Sequence, residues 1–190
     1  MDPTSFLPRF DERLFGFWEY WSSLPRQGSA PHLRDYLDHV PPNLQPSVII
    51  VDYYSHDKSD LRLIGTLMSE LMGDDHDEAD DGDKATQVYS GALRHAAQRM
   101  SWTAANHPCA YAAKHPIRSR GGRTAIVAGV AAPLVTDRPG CKTLVTYTNL
   151  APLIDSLATD DHVRSVESLT PPIWLDIGYG VPAAVSGHVR

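Results

Sequence analysis

The chain of 190 residues has little that would mark it as secreted, membrane-spanning or crosslinked. It contains two cysteines, Cys109 and Cys141, and two thiols form no disulfide framework, so we expect both to be reduced. No run approaches the roughly 18 consecutive apolar residues that a membrane helix needs. The start, MDPTSFLPRFDERLF, has no basic leader followed by an apolar segment. These absences predict a cytoplasmic protein without a membrane partner.

An excess of charge of one sign is absent outside a single stretch. Residues 74–83, DDHDEADDGD, hold seven of the 23 acidic residues and no Lys or Arg. The other 16 acidic residues nearly balance the 17 Lys and Arg residues, so this stretch accounts for the net charge of −6. Without a basic cluster there is no electrostatic footprint for nucleic acid and no polybasic patch for lipid. We therefore predict no nucleic-acid partner, and we interpret 74–83 as a solvated charge run.

Motifs with known chemistry are missing or incomplete. The chain has no Walker A sequence and no H-E-x-x-H, and Ser186 in AAVSGH lacks the first glycine of G-x-S-x-G. Gly178 and Gly180 precede Val-Pro instead of the helix start that a dinucleotide fingerprint requires. An EF-hand alignment on Gly82 places Val88 where a bidentate Glu is needed. The sequence therefore predicts no catalytic residues and identifies no cofactor.

A metal site is the remaining chemical hypothesis for residues 107–115. His107, Cys109 and His115 would share one face if 108–117 is a strand. At about 3.3 Å per residue His107 and His115 would lie roughly 26 Å apart, whereas zinc ligands lie about 2 Å from one ion. His107 and Cys109 could supply two ligands, but two more would have to come from elsewhere. We expect no metal here.

The most informative stretch is 60–73, DLRLIGTLMSELMG, which predicts a short strand followed by a short helix. In its first half apolar and polar residues alternate, which indicates a half-buried strand with Leu61 and Leu63 on one face. In its second half apolar residues recur at the spacing of one helical face before a C-terminal glycine: Leu67, Met68, Leu71, Met72 and Gly73.

The rest of the chain supplies further helices and strands. Helical periodicity covers 10–24, an aromatic helix, and 85–100, and a weaker helical pattern covers 153–169. The proline-rich segment 25–46 predicts a connector with one helical turn near Asn43. Strands are predicted at 47–54, 108–117, 123–134, 142–150 and 173–179, the last one docking on a sheet edge or a neighbour. Five central antiparallel strands, with helices inserted after the second, predict an α+β domain whose helices cover one sheet face.

These elements divide the chain into three parts. Residues 1–46 hold the N-terminal helix and connector, 47–151 the domain with the sheet, and 152–190 an extension with one added strand. The aromatic helix needs a surface to cover it, which is either the domain's own sheet or the same helix of a second subunit.

Besides the order of helices and strands, several spaced residues match the pattern of a known family. They are Tyr20-Trp21, Leu24, Pro31, Arg34, Leu44, and RLIGT at 62–66 leading to Gly73. Over 17–150 the chain resembles the PAS-like domain family of small stand-alone alphaproteobacterial proteins. After Gly73 the resemblance implies a short Thr-Gly-containing turn, and the acidic run stands there instead.

The resemblance implies a sensory or regulatory module without catalysis. A cupped sheet and its short helices would hold a small molecule, or the sheet and N-terminal helix would contact a protein. Ligand occupancy would then shift the packing of the sheet against the aromatic helix and alter a homodimer contact or a contact with a separate signalling protein. Two alternatives stay open: a pure interaction or dimerisation module with a filled core, and a small enzyme that uses the sheet cavity.

Candidate site residues follow from both arguments. Methionine and leucine on the short helix would form a deformable apolar wall, and buried tyrosine or arginine could orient a ligand. We expect ligand contacts from Tyr53, Arg62, Leu67, Met68, Leu71, Met72, Tyr111 and Tyr147. We expect partner contacts from Phe17, Trp18 and Trp21.

Overall fold

The structure is a computed structural model that describes residues 2–73, 88–156 and 161–183. The acidic run at 74–83 and Ser186 lie outside the described residues, as does the predicted start of the helix at Ala85. No helix in the described ranges combines the length and the apolar character needed to cross a membrane.

The regular structure of the described residues consists of six α-helices, one short 3-10 helix (Gln45–Ser47) and nine strands. The helices are α1 (Pro3–Phe10), α2 (Glu12–Ser23), α3 (Leu33–His39), α4 (Thr66–Met72), α5 (Gly91–Asn106) and α6 (Ala151–Ile154). The strands are β1 (Arg26–Gln27), β2 (Ala30–Pro31), β3 (Val48–Tyr53), β4 (Ser59–Ile64), β5 (Ala110–Ser119), β6 (Thr124–Leu134), β7 (Lys142–Asn149), β8 (Val163–Val166) and β9 (Ile173–Leu175).

Seven strands form one antiparallel sheet in the order β4-β3-β7-β6-β5-β8, and β9 also pairs with β5. The five central strands lie close to their predicted bounds, which confirms an α+β chain with an antiparallel sheet. The sheet has seven strands, two more than the five that were predicted. β9 docks on the sheet edge as one of the two predicted alternatives, whereas β8 lies in a segment that was predicted to be helical, and that prediction was wrong.

Helices cover both faces of the sheet, and the prediction of one covered face was wrong. Alternate residues of β3 show this arrangement: Val48 and Ile50 pack against the N-terminal helices, whereas Ile49 and Val51 belong to the core under α4 and α5. A strand buried on both faces has a continuous apolar run instead of an alternating one, and SVIIV at 47–51 has that pattern. We call the face under α1, α2 and α3 the outer face and the other the inner face.

The N-terminal helices are attached to the sheet by polar contacts as well as by packing. The Asp11 carboxylate caps α2 by accepting hydrogen bonds from the Arg13 and Leu14 amides at 3.0 and 3.3 Å. Its second oxygen accepts a hydrogen bond from the Asn149 side-chain amide at 2.9 Å. The break between α1 and α2 is therefore anchored to the end of β7.

A β-bulge in β4 changes which side chains share a face. Ile50 pairs with Leu63 and Val51 pairs with Leu61, so Arg62 is the extra residue between the two pairs. Leu61 consequently packs on the inner face and Leu63 on the outer face. The prediction that Leu61 and Leu63 share one face was wrong, because period-two alternation does not hold across a bulge.

Gly65 joins β4 to α4 where the backbone leaves no space for a side chain. Its amide donates to the Val48 carbonyl at 2.8 Å, and an added Cβ would overlap the carbonyl oxygens of Gln45 and Pro46. Because backbone atoms would have to move, we expect Gly65→Ala to lower the free energy of unfolding by about 1–3 kcal/mol.

Urea denaturation measures this effect, and Gly16→Ala is the matched control. Gly16 lies inside α2 with nothing within 4 Å of an added Cβ, so alanine there should raise the free energy of unfolding by about 0.5–1 kcal/mol. A Gly65→Ala protein as stable as the wild type would contradict the close packing of this junction.

Candidate functional site

A cavity of about 140 Å³ lies between the inner face of the sheet and helices α4 and α5. We call it the sheet cavity. Its walls come from four central strands, from both helices, and from the segments around α6 and β8: Ile49, Val51, Tyr53, Met68, Leu71, Met72, Val88, Tyr89, Ala97, Met100, Ser101, Tyr111, Ala113, His115, Ile117, Val127, Gly129, Thr146, Thr148, Leu150, Leu153, Val163 and Val166.

A row of small residues forms the floor of the sheet cavity. Ala113 on β5 pairs with Gly129 on β6, and Gly129 pairs with Thr148 on β7. Along β5 this row is flanked by Tyr111 on one side and His115 on the other, both of which also line the cavity. The cavity floor is therefore a row of small side chains across three adjacent strands, with larger side chains around it.

The backbone conformation at position 129 does not require a glycine. It has no positive φ, and an added Cβ would meet the Thr148 Oγ1 and Tyr147 carbonyl atoms at 3.5 Å, an ordinary contact distance. Glycine in the interior of a strand weakens it, and it often marks a place where a ligand approaches the backbone. The space above Gly129 is thus a feature of the cavity and not of the local chain geometry.

Methionines form the side of the cavity opposite the floor. Met68 and Met72 come from α4, and Met100 comes from α5. Methionine is unbranched and polarisable, and it adapts to the shape of what it packs against. α4 ends at Gly73, whose φ of 77° lies in the left-handed region favoured by glycine, so this wall stops directly after Met72.

Hydroxyl groups supply most of the polarity. The Tyr111 hydroxyl lies 3.0 Å from Ser101 Oγ, and Tyr53 is a further tyrosine of the lining. Burial raises the pKa of Tyr53, Tyr89 and Tyr111, and the proximity of Tyr111 further raises the pKa of the other two. All three phenols are therefore neutral and able to donate a hydrogen bond at physiological pH.

His115 contributes a second polar group. Burial lowers its pKa, and a backbone hydrogen bond to Ser168 partly opposes that effect. Its Nδ1 is buried and has no hydrogen-bond partner among the described residues. His115 is therefore a neutral side chain in the cavity lining.

Five of the eight residues expected to contact a ligand line the sheet cavity: Tyr53, Met68, Leu71, Met72 and Tyr111. The other three lie elsewhere. Leu67 packs next to the cavity in the cluster around Leu71 and Leu153. Arg62 lies on the outer face, where its Nε and Nη2 atoms bond Asp52 at 2.8 and 2.7 Å. Tyr147 also lies on the outer face and stacks on Phe17 with ring centroids 5.6 Å apart.

The residues expected to contact a partner are buried within the chain. Phe17, Trp18 and Trp21 are each at most 4% exposed and pack between α2 and the outer face. The Trp21 indole donates a hydrogen bond to the Pro133 carbonyl at 3.1 Å. The structure therefore places all three in the core against the chain's own sheet, which is one of the two surfaces predicted to cover this helix, and not on a surface open to a partner.

Sequence reasoning did not select Tyr89, Ser101, His115 or Gly129 as ligand contacts. The β5 pattern already places His115 on the same face as Tyr111. Ser101 is a small polar residue one turn after Ala97 on α5, a pattern that also occurs in ordinary helix packing. Gly129 carries no sequence signal, because its role depends on which strands lie beside it.

The described lining of the sheet cavity contains no Asp, Glu, Lys or Arg. Within the described ranges, no group of three or more His, Cys, Asp or Glu residues is arranged to hold a metal ion. Comparison with protein-family models, with curated proteins and with solved structures finds no match to this chain.

Proposed function

We propose that the protein is a PAS-like sensory module that binds a small molecule in the sheet cavity. The observation that carries the proposal is the floor of small residues, Ala113, Gly129 and Thr148, under a wall of methionines. A core selected for stability alone is packed without such a strip, because unfilled volume costs dispersion energy. The PAS-like part is supported by the order of two strands, a short helix, a long helix and three strands.

The proposed signal passes through the sheet to its outer face. Thr146 and Thr148 of β7 line the cavity, and Tyr147 between them stacks on Phe17 of α2. A ligand that displaces β7 would therefore change the packing of the N-terminal helices. It shifts the equilibrium only as far as it binds one arrangement better than the other. The output would be a changed contact with a second copy of the chain or with a separate signalling protein.

The lining favours binding over chemistry. Its polar groups are neutral hydroxyls and one histidine whose pKa is lowered by burial, so the described lining offers no carboxylate–base pair for proton transfer. The filled-core alternative predicts no space above Gly129, where the structure has a cavity.

Native and denaturing mass spectrometry on protein purified from its own host tests the proposal. We expect the native protein to carry extra mass that is lost on denaturation, and we expect Ala113→Leu to carry less because leucine fills the floor. Ile126→Ala is the control, because Ile126 lies on β6, the strand next to Ala113, but is 62% exposed. A wild-type protein of bare mass that also gains none from a small-molecule extract of its host would overturn the proposal.

A further inference from the structure

We infer that the ligand of the sheet cavity is a neutral single-ring molecule carrying one oxygen atom, of which phenol is the simplest member. This inference rests on the proposed function, because it assigns a chemical class to the ligand of the same cavity. Three properties of the wall lead to it: volume, absence of charge and an unpaired hydroxyl.

Volume limits the ligand to about one ring. The cavity measures about 140 Å³. An apolar cavity of about 150 Å³ in another protein binds benzene, whereas pockets for drug-sized molecules measure roughly 300–1,000 Å³. A flavin, a haem or a nucleotide is therefore too large, and a six-membered ring with a small substituent fits.

Charge is excluded by the lining. A buried ion needs an opposite charge or several hydrogen bonds, and otherwise its transfer from water is strongly unfavourable. No described residue of the wall is charged. The nearby guanidinium groups of Arg62 and Arg138 are on the outer face, where both bind Asp52. A carboxylate or ammonium ligand would thus be unpaired in the cavity.

An oxygen atom is indicated by Tyr89. Tyr89 lines the cavity, and its hydroxyl has no hydrogen-bond partner among the described residues, whereas the hydroxyls of Tyr111 and Ser101 bond each other. A hydroxyl in the cavity wall that has no acceptor in the protein is available to donate a hydrogen bond to a ligand. A ligand oxygen can therefore accept a hydrogen bond from Tyr89.

An aromatic ring is favoured by what surrounds it. Met68, Met72 and Met100 supply sulfur atoms that contact aromatic rings favourably, and Tyr53 and Tyr111 supply ring edges and faces. The floor at Gly129 allows a flat molecule to lie directly on the backbone of β6.

Isothermal titration calorimetry on the full chain after exhaustive dialysis tests the class with four probes: phenol, toluene, benzoate and 1-naphthol. We expect phenol to bind at least tenfold more tightly than benzoate, which is charged, and than 1-naphthol, which has two rings. Tyr89→Phe should weaken the binding of phenol about three- to tenfold and leave the binding of toluene unchanged, since of these two only phenol offers an oxygen. A general loss of structure would weaken both.

Gly129→Ala tests the floor independently of folding. Alanine at a glycine with compatible backbone angles should raise the thermal midpoint, because it reduces the entropy of the unfolded chain. The added methyl group should weaken phenol binding at least tenfold, while Ile126→Ala should leave phenol binding unchanged.

The outcomes separate this inference from the proposed function. Benzoate or 1-naphthol binding as tightly as phenol would overturn the ligand class and leave the cavity a binding site. If no probe binds but native protein carries a different retained mass, the class is also wrong and the proposed function stands. If no probe binds and the bare protein also gains no mass from the host extract, both are overturned.

Discussion

Trp21→Ala is expected to lower the free energy of unfolding by about 3–5 kcal/mol, the range for removing a large aromatic side chain from a core. Trp21 has no exposed surface, and its ring lies 5.1 Å from that of Trp18. The substitution also leaves the Pro133 carbonyl without its hydrogen bond from the indole nitrogen. Guanidinium denaturation followed by circular dichroism measures the loss.

Ile126→Ala is the control for this experiment, because its 62% exposed side chain should contribute little to stability. The competing hypothesis from the sequence is that the aromatic helix is a partner surface. In that case Trp21→Ala would fold with nearly unchanged stability and lose a dimer or partner contact instead. Such a result would contradict the placement of α2 on the outer face.

Asp52→Ala is expected to lower the free energy of unfolding by about 3 kcal/mol, because it removes the carboxylate that two arginines share. The Asp52 side chain is fully buried. One oxygen accepts hydrogen bonds from Arg62 and from Arg138 Nη1 at 3.0 Å, and the other accepts from Thr143 Oγ1 at 2.6 Å. Without it, the two guanidinium groups lose their counter-charge and Thr143 loses its acceptor.

Asp52→Asn is the matched variant for charge. Its amide can accept a donation from Arg62 and donate to the Thr143 hydroxyl, so we expect it to cost about half as much as alanine. A double-mutant cycle with Arg62→Met then isolates the pair: in the Asp52→Ala background, Arg62→Met should cost clearly less than in the wild type. Additive costs would show that the contact contributes nothing to stability. None of these variants should change ligand binding, because the cluster is on the outer face.

The positions of the five central strands were predictable, because β-branched and aromatic runs between glycine and proline turns are strong local signals. Which face each residue occupies was less predictable. The alternation of side chains along a strand shows that Tyr147 and Val145 lie on the same side of β7. It does not show that this side faces the N-terminal helices. Tertiary information, which the sequence does not contain, was needed to tell that Tyr147 is not a ligand contact.

Arg62 illustrates a different limit. A buried arginine needs a partner and could orient a ligand, which makes Arg62 a candidate from the sequence, but the structure supplies its partner in Asp52. The bulge that places Arg62 on the outer face depends on the register between β3 and β4, which no local pattern specifies. Similarly, β8 has only four residues, and a strand that short depends on the edge of β5 that it joins.

The pairing of β3 with β7 also governs how fast the sheet can be completed. Asp52 and Thr143, which bond across these strands, are 91 residues apart in the chain. At a synthesis rate of about 5–20 residues per second, the ribosome needs roughly 5–20 s to deliver β7 after β3 has emerged. During that interval the hairpin of β3 and β4 has an open, strongly apolar edge, the kind of surface that associates with other chains. Translation pace and chaperone capture at this stage therefore influence the yield of folded protein, while the finished sheet has β3 at its interior.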